Sequence, residues 1–146
     1  MTSQPPRPGR SSAAPRFQPA SDVLSGETAD VYFERAQRIL AAEQMDPVVT
    51  MEVFAREDGI LCGAEEAISY LREIFSNGTS HDPAPVVESL TDGDAVSAKE
   101  VVMRICARYS AFGLYETAIL GILSQSTGWA TAARRVVEAA DPIPVI

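Results

Sequence analysis

One lysine, Lys99, stands against 20 acidic residues in this chain, and the formal net charge is −8. A nucleic-acid binder must neutralise a dense row of phosphates with Lys and Arg. The balance excludes that role for the domain as a whole, while leaving room for a local cluster that holds one small anion. Histidine is as scarce: the only one, His81, lies in the turn-rich run Asn77-Gly-Thr-Ser-His-Asp-Pro, with no orienting partner in view. Exposed loop composition explains it without catalysis. The two cysteines, Cys62 and Cys106, are far apart and make no CxxC or Cys/His spacing. No metal site is expected from them, and two free thiols are a simpler reading than a disulfide. Long apolar runs are missing too, none reaching the roughly 20 residues of a membrane-spanning helix. These shortages together lead us to expect a cytoplasmic protein with neither a nucleic-acid nor a membrane partner.

What is there is the composition of an ordinary globular domain: 146 residues, 46% hydrophobic and 22% charged, enough for one real core. Residues 1–20 stand apart. They are rich in Pro and Ser, carry Arg7, Arg10 and Arg16, and have no acid. They lack the apolar segment of a secretory signal, and the prolines oppose the amphipathic helix of a transit peptide. A disordered tail is expected there.

Ser25-Gly-Glu-Thr-Ala-Asp sets up a helix start, and Glu27 to Glu43 reads as a helix with Val31, Ala36, Ile39 and Leu40 near one face. Val48 to Ala55 reads as a strand, because Val49, Met51, Val53 and Ala55 alternate with Thr50, Glu52 and Phe54. After the turn Arg56-Glu-Asp-Gly comes Ile60-Leu-Cys, a short second strand or a continuation of the first, closed by Gly63. Ala64 to Phe75 is an amphipathic helix with Ala67, Ile68, Leu71, Ile74 and Phe75 inward, and residues 76–85 form a loop. A third strand, Val86 to Leu90, leads into Asp92-Gly-Asp, where Asp-Gly supplies the positive φ of a hairpin, and a fourth strand spans Glu100 to Ala107. Ser110 to Arg135 reads as two helices with a Ser/Thr/Gly break between them. Pro142 and Pro144 end the second, and Val145-Ile146 reads as a strand only begun. The order predicts an α+β fold, a small and mostly antiparallel sheet packed with helices, over residues 21–140.

Few residues carry chemistry. Glu116 is a lone carboxylate, and there is neither a Ser/His/Asp set nor a Gly-rich phosphate loop, so no catalytic residue is expected in this chain. Thr127-Gly-Trp-Ala-Thr reads as the opening of the last helix. Free N–H groups and the helix dipole at such an end attract anions, with Arg134 and Arg135 about two turns on. The plainer alternative makes Thr127 an N-cap and leaves the arginines solvated or balanced by Glu138.

Three stretches resemble the nicotinate phosphoribosyltransferases, a type II phosphoribosyltransferase family. The first is Thr28-Ala-Asp-Val-Tyr-Phe, similar to an Asp-x-Tyr on that family's opening helix. The second runs from Ser89 to Ile105 and holds an Asp-Gly-Asp-x-Val hairpin. It also resembles the turn of biotinyl and lipoyl carriers, but Lys99 sits in the wrong turn for modification. The third and most specific is Tyr115-Glu-Thr-Ala-Ile-Leu through Ser126-Thr-Gly-Trp-Ala-Thr. Sister quinolinate phosphoribosyltransferases look like Glu-Arg-Thr-Ala-Leu-Asn followed by Ser-Gly-Ile-Ala-Thr. Glu116 matches their Glu, and Thr117 falls where they have Arg. An Arg fork suits a second ring carboxylate, so its loss favours nicotinate over quinolinate.

The resemblance implies the N-terminal portion of an enzyme of NAD salvage. It would make nicotinate mononucleotide from nicotinate and phosphoribosyl pyrophosphate with ATP hydrolysis. ATP and Mg²⁺ would serve the complete enzyme, with none bound by this chain alone, which is expected to be inactive by itself. A homodimer is implied, in which this domain covers the neighbour's active site. Tyr32, Glu116 and Thr117 are the implied substrate-binding residues, with Tyr32 stacking on the pyridine ring. Tyr32 and Phe33 also admit the simpler role of core packing. Residues 141–146 would begin a barrel. A quinolinate-type decarboxylating enzyme, a non-catalytic dimerisation or binding module and a swinging-arm carrier stay open as alternatives.

Overall fold

Strand β5, Val101–Arg108, organises the molecule. Its Met103, Ile105 and Ala107 are buried, and both of its edges are taken. Strand β1, Val48–Phe54, pairs antiparallel on one side, and β3, Val86–Ser89, pairs antiparallel on the other. Val53 lies opposite Met103 and Met51 opposite Ile105, so the predicted alternations of both strands fall on one face. On the outer face Arg104 lies 2.8 Å from Glu52 and 3.5 Å from Glu88. These pairs are exposed and screened by solvent, so they contribute little to stability. A one-residue slip would bring Arg104 into the core, which is a stronger constraint on register. The computed structural model describes residues 17, 19–76 and 82–145. The greater part of the expected tail, His81 and Ile146 lie outside them.

Helix α3, Ala64–Ser76, shares one core cluster with the inner face of the sheet. Ala67, Leu71 and Ile74 point inward as expected, and Tyr70 joins them at 3% exposure. The helix is capped from a distance: Asp92 accepts from the backbone N–H groups of Ala64 at 2.7 Å and Glu65 at 3.2 Å. The Asp92-Gly93 turn is thus scaffold. Gly93 has φ +98°, and the next residues form β4, Ala95–Val96, which pairs with β2, Gly59–Ile60. The two-stranded β2–β4 ribbon was not expected. The Asp-Gly turn leads into β4 rather than directly into the long strand, and a second turn at Lys99, φ 72°, completes the path to β5.

Two further expectations need correction. The first long helix, α2, spans Val31–Ala42 and follows a single-turn α1, Ser21–Leu24. Its buried residue is Phe33, whereas Val31 and Ile39 are 58% and 62% exposed. The predicted face fails because α2 meets the turn Gly113–Tyr115 rather than the sheet, so little of its apolar stripe has anything to cover. The second correction is larger. After the short α4, Tyr109–Phe112, and the 3₁₀ turn Gly113–Tyr115, a single helix α5 runs over Glu116–Ala140 without a break. At 25 residues it is about 37 Å long. Ser124 bonds back to Gly121 C=O within the helix, and two threonine hydroxyls are engaged outside it. Thr127 Oγ1 accepts from Cys62 N–H and donates to Cys62 C=O, both at 3.1 Å, and Thr131 Oγ1 accepts from Ile60 N–H at 2.9 Å. Val145 is not in a strand, so no barrel strand begins among the described residues.

Candidate substrate-binding site

Three separate parts of the chain meet where α2 and α5 begin. Asp30 sits just before α2, at the position of a capping residue, yet its side chain makes no capping bond. It accepts instead from the Thr117 hydroxyl at 3.1 Å, in the first turn of α5. Tyr32, two residues on, leaves its ring 57% exposed, beside buried Phe33 with the centroids 4.0 Å apart. Phe33 is thus the anchor and Tyr32 the outward group, a division the sequence left undecided. Tyr109 enters from the end of β5. Its backbone N–H bonds Pro47 C=O at 2.9 Å, and its ring lies edge-on to Phe112 at 6.3 Å. A Cβ at Gly113 would come within 2.7 Å of that ring, so the close approach requires glycine here.

The electrostatics join these groups. Desolvation raises the Tyr32 pKa, and the charges of Glu116, Asp30 and Tyr109 raise it further. Tyr109 is raised by desolvation and then by Glu116. Glu116 is itself raised, by burial. The site is therefore two phenols that stay protonated, two carboxylates and a hydroxyl, with no basic side chain among the causes of these shifts. It can offer an aromatic face and O–H donors to a flat ring; a cation to balance an anionic ligand must come from elsewhere. Tyr32, Glu116 and Thr117, singled out from the sequence, are brought together. Asp30 and Tyr109 were missed. Asp30 falls inside the expected helix rather than before it, and the meeting of Tyr109 with Tyr32 depends on the path of β5.

The expected anion site fares differently. Thr127 is in mid-helix, so it has no free helix N-terminus behind it, and its hydroxyl already serves Cys62. Arg134 pairs with Glu138 one turn on, as the plainer reading held. Arg135 lines a cavity of about 560 Å³ between α5 and the turn Arg56–Gly59, with Thr127 and Thr131 on the same wall. Cys62 and Cys106 are free thiols. Among the described residues, no group of three His, Cys, Asp or Glu is placed to hold a metal, and no helix is long and apolar enough to cross a membrane.

The fold recurs in solved structures. A nicotinate-nucleotide pyrophosphorylase from Pyrococcus furiosus is 33% identical with a TM-score of 0.70, over 86% of this chain and 32% of that one. The nicotinate-nucleotide pyrophosphorylase from Francisella tularensis is 18% identical, with a TM-score of 0.56, over 83% of this chain and 42% of its own. NadC from Streptococcus pyogenes, also 18% identical, has a TM-score of 0.55 over 74% and 40%. The last two show the fold alone. The class is thus an α+β domain that recurs within larger pyrophosphorylase chains, and this chain spans about a third to two-fifths of their length. More particularly, the chain belongs to the family described as quinolinate phosphoribosyl transferase, N-terminal domain, which matches residues 30–127. That is the sister of the family expected from the motifs. The coarser expectation, a phosphoribosyltransferase N-terminal domain, holds. Tyr32, Glu116 and Thr117 fall inside the matched stretch, and Arg134 and Arg135 fall beyond it.

Proposed function

We propose that this chain supplies the substrate-covering domain of a phosphoribosyltransferase that makes nicotinate mononucleotide from a pyridine carboxylate. The pyridine nitrogen attacks C1 of phosphoribosyl pyrophosphate, the bond from C1 to the pyrophosphate oxygen breaks, and pyrophosphate leaves. With quinolinate, the bond from the ring carbon to the carboxylate next to the nitrogen then breaks, CO₂ leaves, and that carbon keeps the electron pair and takes a proton from water. Membership in the quinolinate family makes that acid the first substrate to expect. The observation that carries the site is the convergence of Tyr32, Asp30, Glu116 and Thr117, brought together from two distant stretches of the family match. The part of these side chains is binding. Tyr32 offers its ring face to the pyridine and its O–H to a carboxylate, and the domain excludes water from the neighbouring subunit's reacting centre. Phosphoribosyl pyrophosphate and Mg²⁺ would be held by parts of the enzyme outside this chain.

A second reading, nicotinate as substrate, has one specific observation in its favour. Thr117 stands where the sister motif has Arg, and its hydroxyl is committed to Asp30. A second ring carboxylate would then meet Asp30 and Glu116 with no fork to receive it. ATP would be consumed in that case. The complete enzyme carrying this domain, assayed with each acid, separates the readings. Release of CO₂ from quinolinate without ATP supports the first, and ATP-stimulated turnover of nicotinate supports the second. Turnover of neither acid would overturn the proposal.

A further inference from the structure

One face of α5 stays apolar beyond the end of the core it covers. Positions 119, 122, 126, 129, 133, 136 and 140 follow the alternating steps of three and four that keep a helix seam toward one partner. At the start of the seam Ile119 is buried and Ile122 packs against the core. Past Ser126 the seam lies open: Trp129 is 73% and Val136 53% exposed, and Ala133 is exposed between them. Val137, also more than half exposed, widens it. Thr127 and Thr131, which fasten this half of the helix, reach residues 60–62 from another side, so the seam takes no part in holding α5 to its own domain.

We propose that the open half of α5 is a dimer contact, in which two copies of the chain lie antiparallel across a twofold axis passing between Arg134 and Arg135. Trp129 then packs on the partner's Ala140, and Ala133 on the partner's Val136, so each large side chain meets a small one. A parallel pair would set the two Trp129 side chains against each other and the two Ala133 side chains against each other, crowding one level and leaving a gap at the next. It would also bring together the two domain bodies, which both sit on the first half of the helix. The antiparallel pair holds them at opposite ends and opposes the helix dipoles. Residues 129–140 hold two arginines and one glutamate, so the net charge of −8 lies elsewhere and does not repel this contact. Covering Trp129, Val136, Val137 and the exposed Ile143 on both copies would bury on the order of 1,000 Å², the lower bound for a specific interface. A weak dimer is expected, with a Kd on the order of 10 μM. The inference is independent of the phosphoribosyltransferase reading, because Trp129 lies about 18 Å along the helix from Thr117 and leaves the Tyr32 site free.

Trp129 is the only tryptophan of the 146-residue chain, so its fluorescence reports on this face alone. Sedimentation velocity from well below to well above the expected Kd should show a reversible monomer–dimer equilibrium. The Trp129 emission should move to shorter wavelength in step with the dimer. Ala133→Val and Val136→Ala should each weaken association about tenfold, since each change occurs twice in the contact. The double variant exchanges the two sizes across the axis and should return to within about threefold of the parent. Both positions are exposed in the single chain, so the circular dichroism spectrum should not change, and well below the Kd the stability of the monomer should not either. A monomer at every concentration, or a dimer that leaves the Trp129 emission unmoved, would overturn the proposal. So would short-wavelength emission at every concentration, which would mean that the seam is covered within one chain, or a double variant that associates no better than the single ones.

Discussion

The first half of α5 and its second half belong to one helix and are held in opposite ways. From Glu116 to Leu123 the helix is fastened by apolar burial, with Ile119 and Leu123 at 0% and 4% exposure. Its first turn also reaches α2 through Thr117 and Asp30. Beyond Thr127 the apolar side chains face outward: Trp129 is 73% exposed, and Val136 and Val137 are each more than half exposed. What secures the helix around its middle is a pair of threonine hydroxyls on the backbone of residues 60–62. The lesson concerns polar residues in helices. Ser, Thr and Gly weaken a helix when their groups compete with its own backbone. Here the two hydroxyls are spent on the backbone of β2 and the residues just after it, and the same residues become the fastening.

The sharpest way to break this comparison is to delete packing from each half. Ile119→Ala should lower stability by about 2–5 kcal/mol, the range for a fully buried aliphatic side chain. Val136→Ala should stay within roughly ±0.5 kcal/mol, as an exposed position does. Urea unfolding of both variants tests this, and equal losses would deny the division. Thr127→Val comes next. It leaves Cys62 N–H and C=O without their partner, and a loss of about 1–2 kcal/mol is expected. A smaller effect of opposite sign is expected at Gly128, where a Cβ would meet nothing within 4 Å. Gly128→Ala should stabilise an unbroken helix by about 0.5–1 kcal/mol, and thermal melts would show it; a loss would restore the break.

The smallest effect is in pH dependence. Burial raises the Glu116 pKa above its unfolded value. The folded state therefore holds more protons than the unfolded one between the two values. Stability attributable to this group is full below the ordinary carboxylate pKa and is lost as pH climbs from that value to the raised one. Glu116→Gln should flatten that decline in urea titrations run across this window, and an unchanged slope would remove Glu116 from the site's electrostatics.

Much of the fold could be read from residue patterns where an element has one neighbour on each face. The alternations of β1 and β5 and the inward face of α3 are of this kind, because period and burial coincide. The reading failed where a third body intervenes. The stripe of α2 has little to cover, so its periodicity misled. The run from Ser124 to Gly128 reads as a break in isolation and is continuous only because residues 60–62 lie alongside. The candidate site was half legible. Tyr32, Glu116 and Thr117 could be picked out by resemblance, but Asp30 entered only as part of the motif on the opening helix, and nothing in the run after the fourth strand singled out Tyr109. Their meeting is a property of the path of β5.

The most direct test of the central claim is the steady-state kinetics of Tyr32→Ala in the complete enzyme. Loss of a stacking ring and its O–H should raise the KM for the pyridine carboxylate about tenfold while leaving the KM for phosphoribosyl pyrophosphate unmoved. Equal changes in both constants, or no change in either, would contradict the placing of this domain over the pyridine ring.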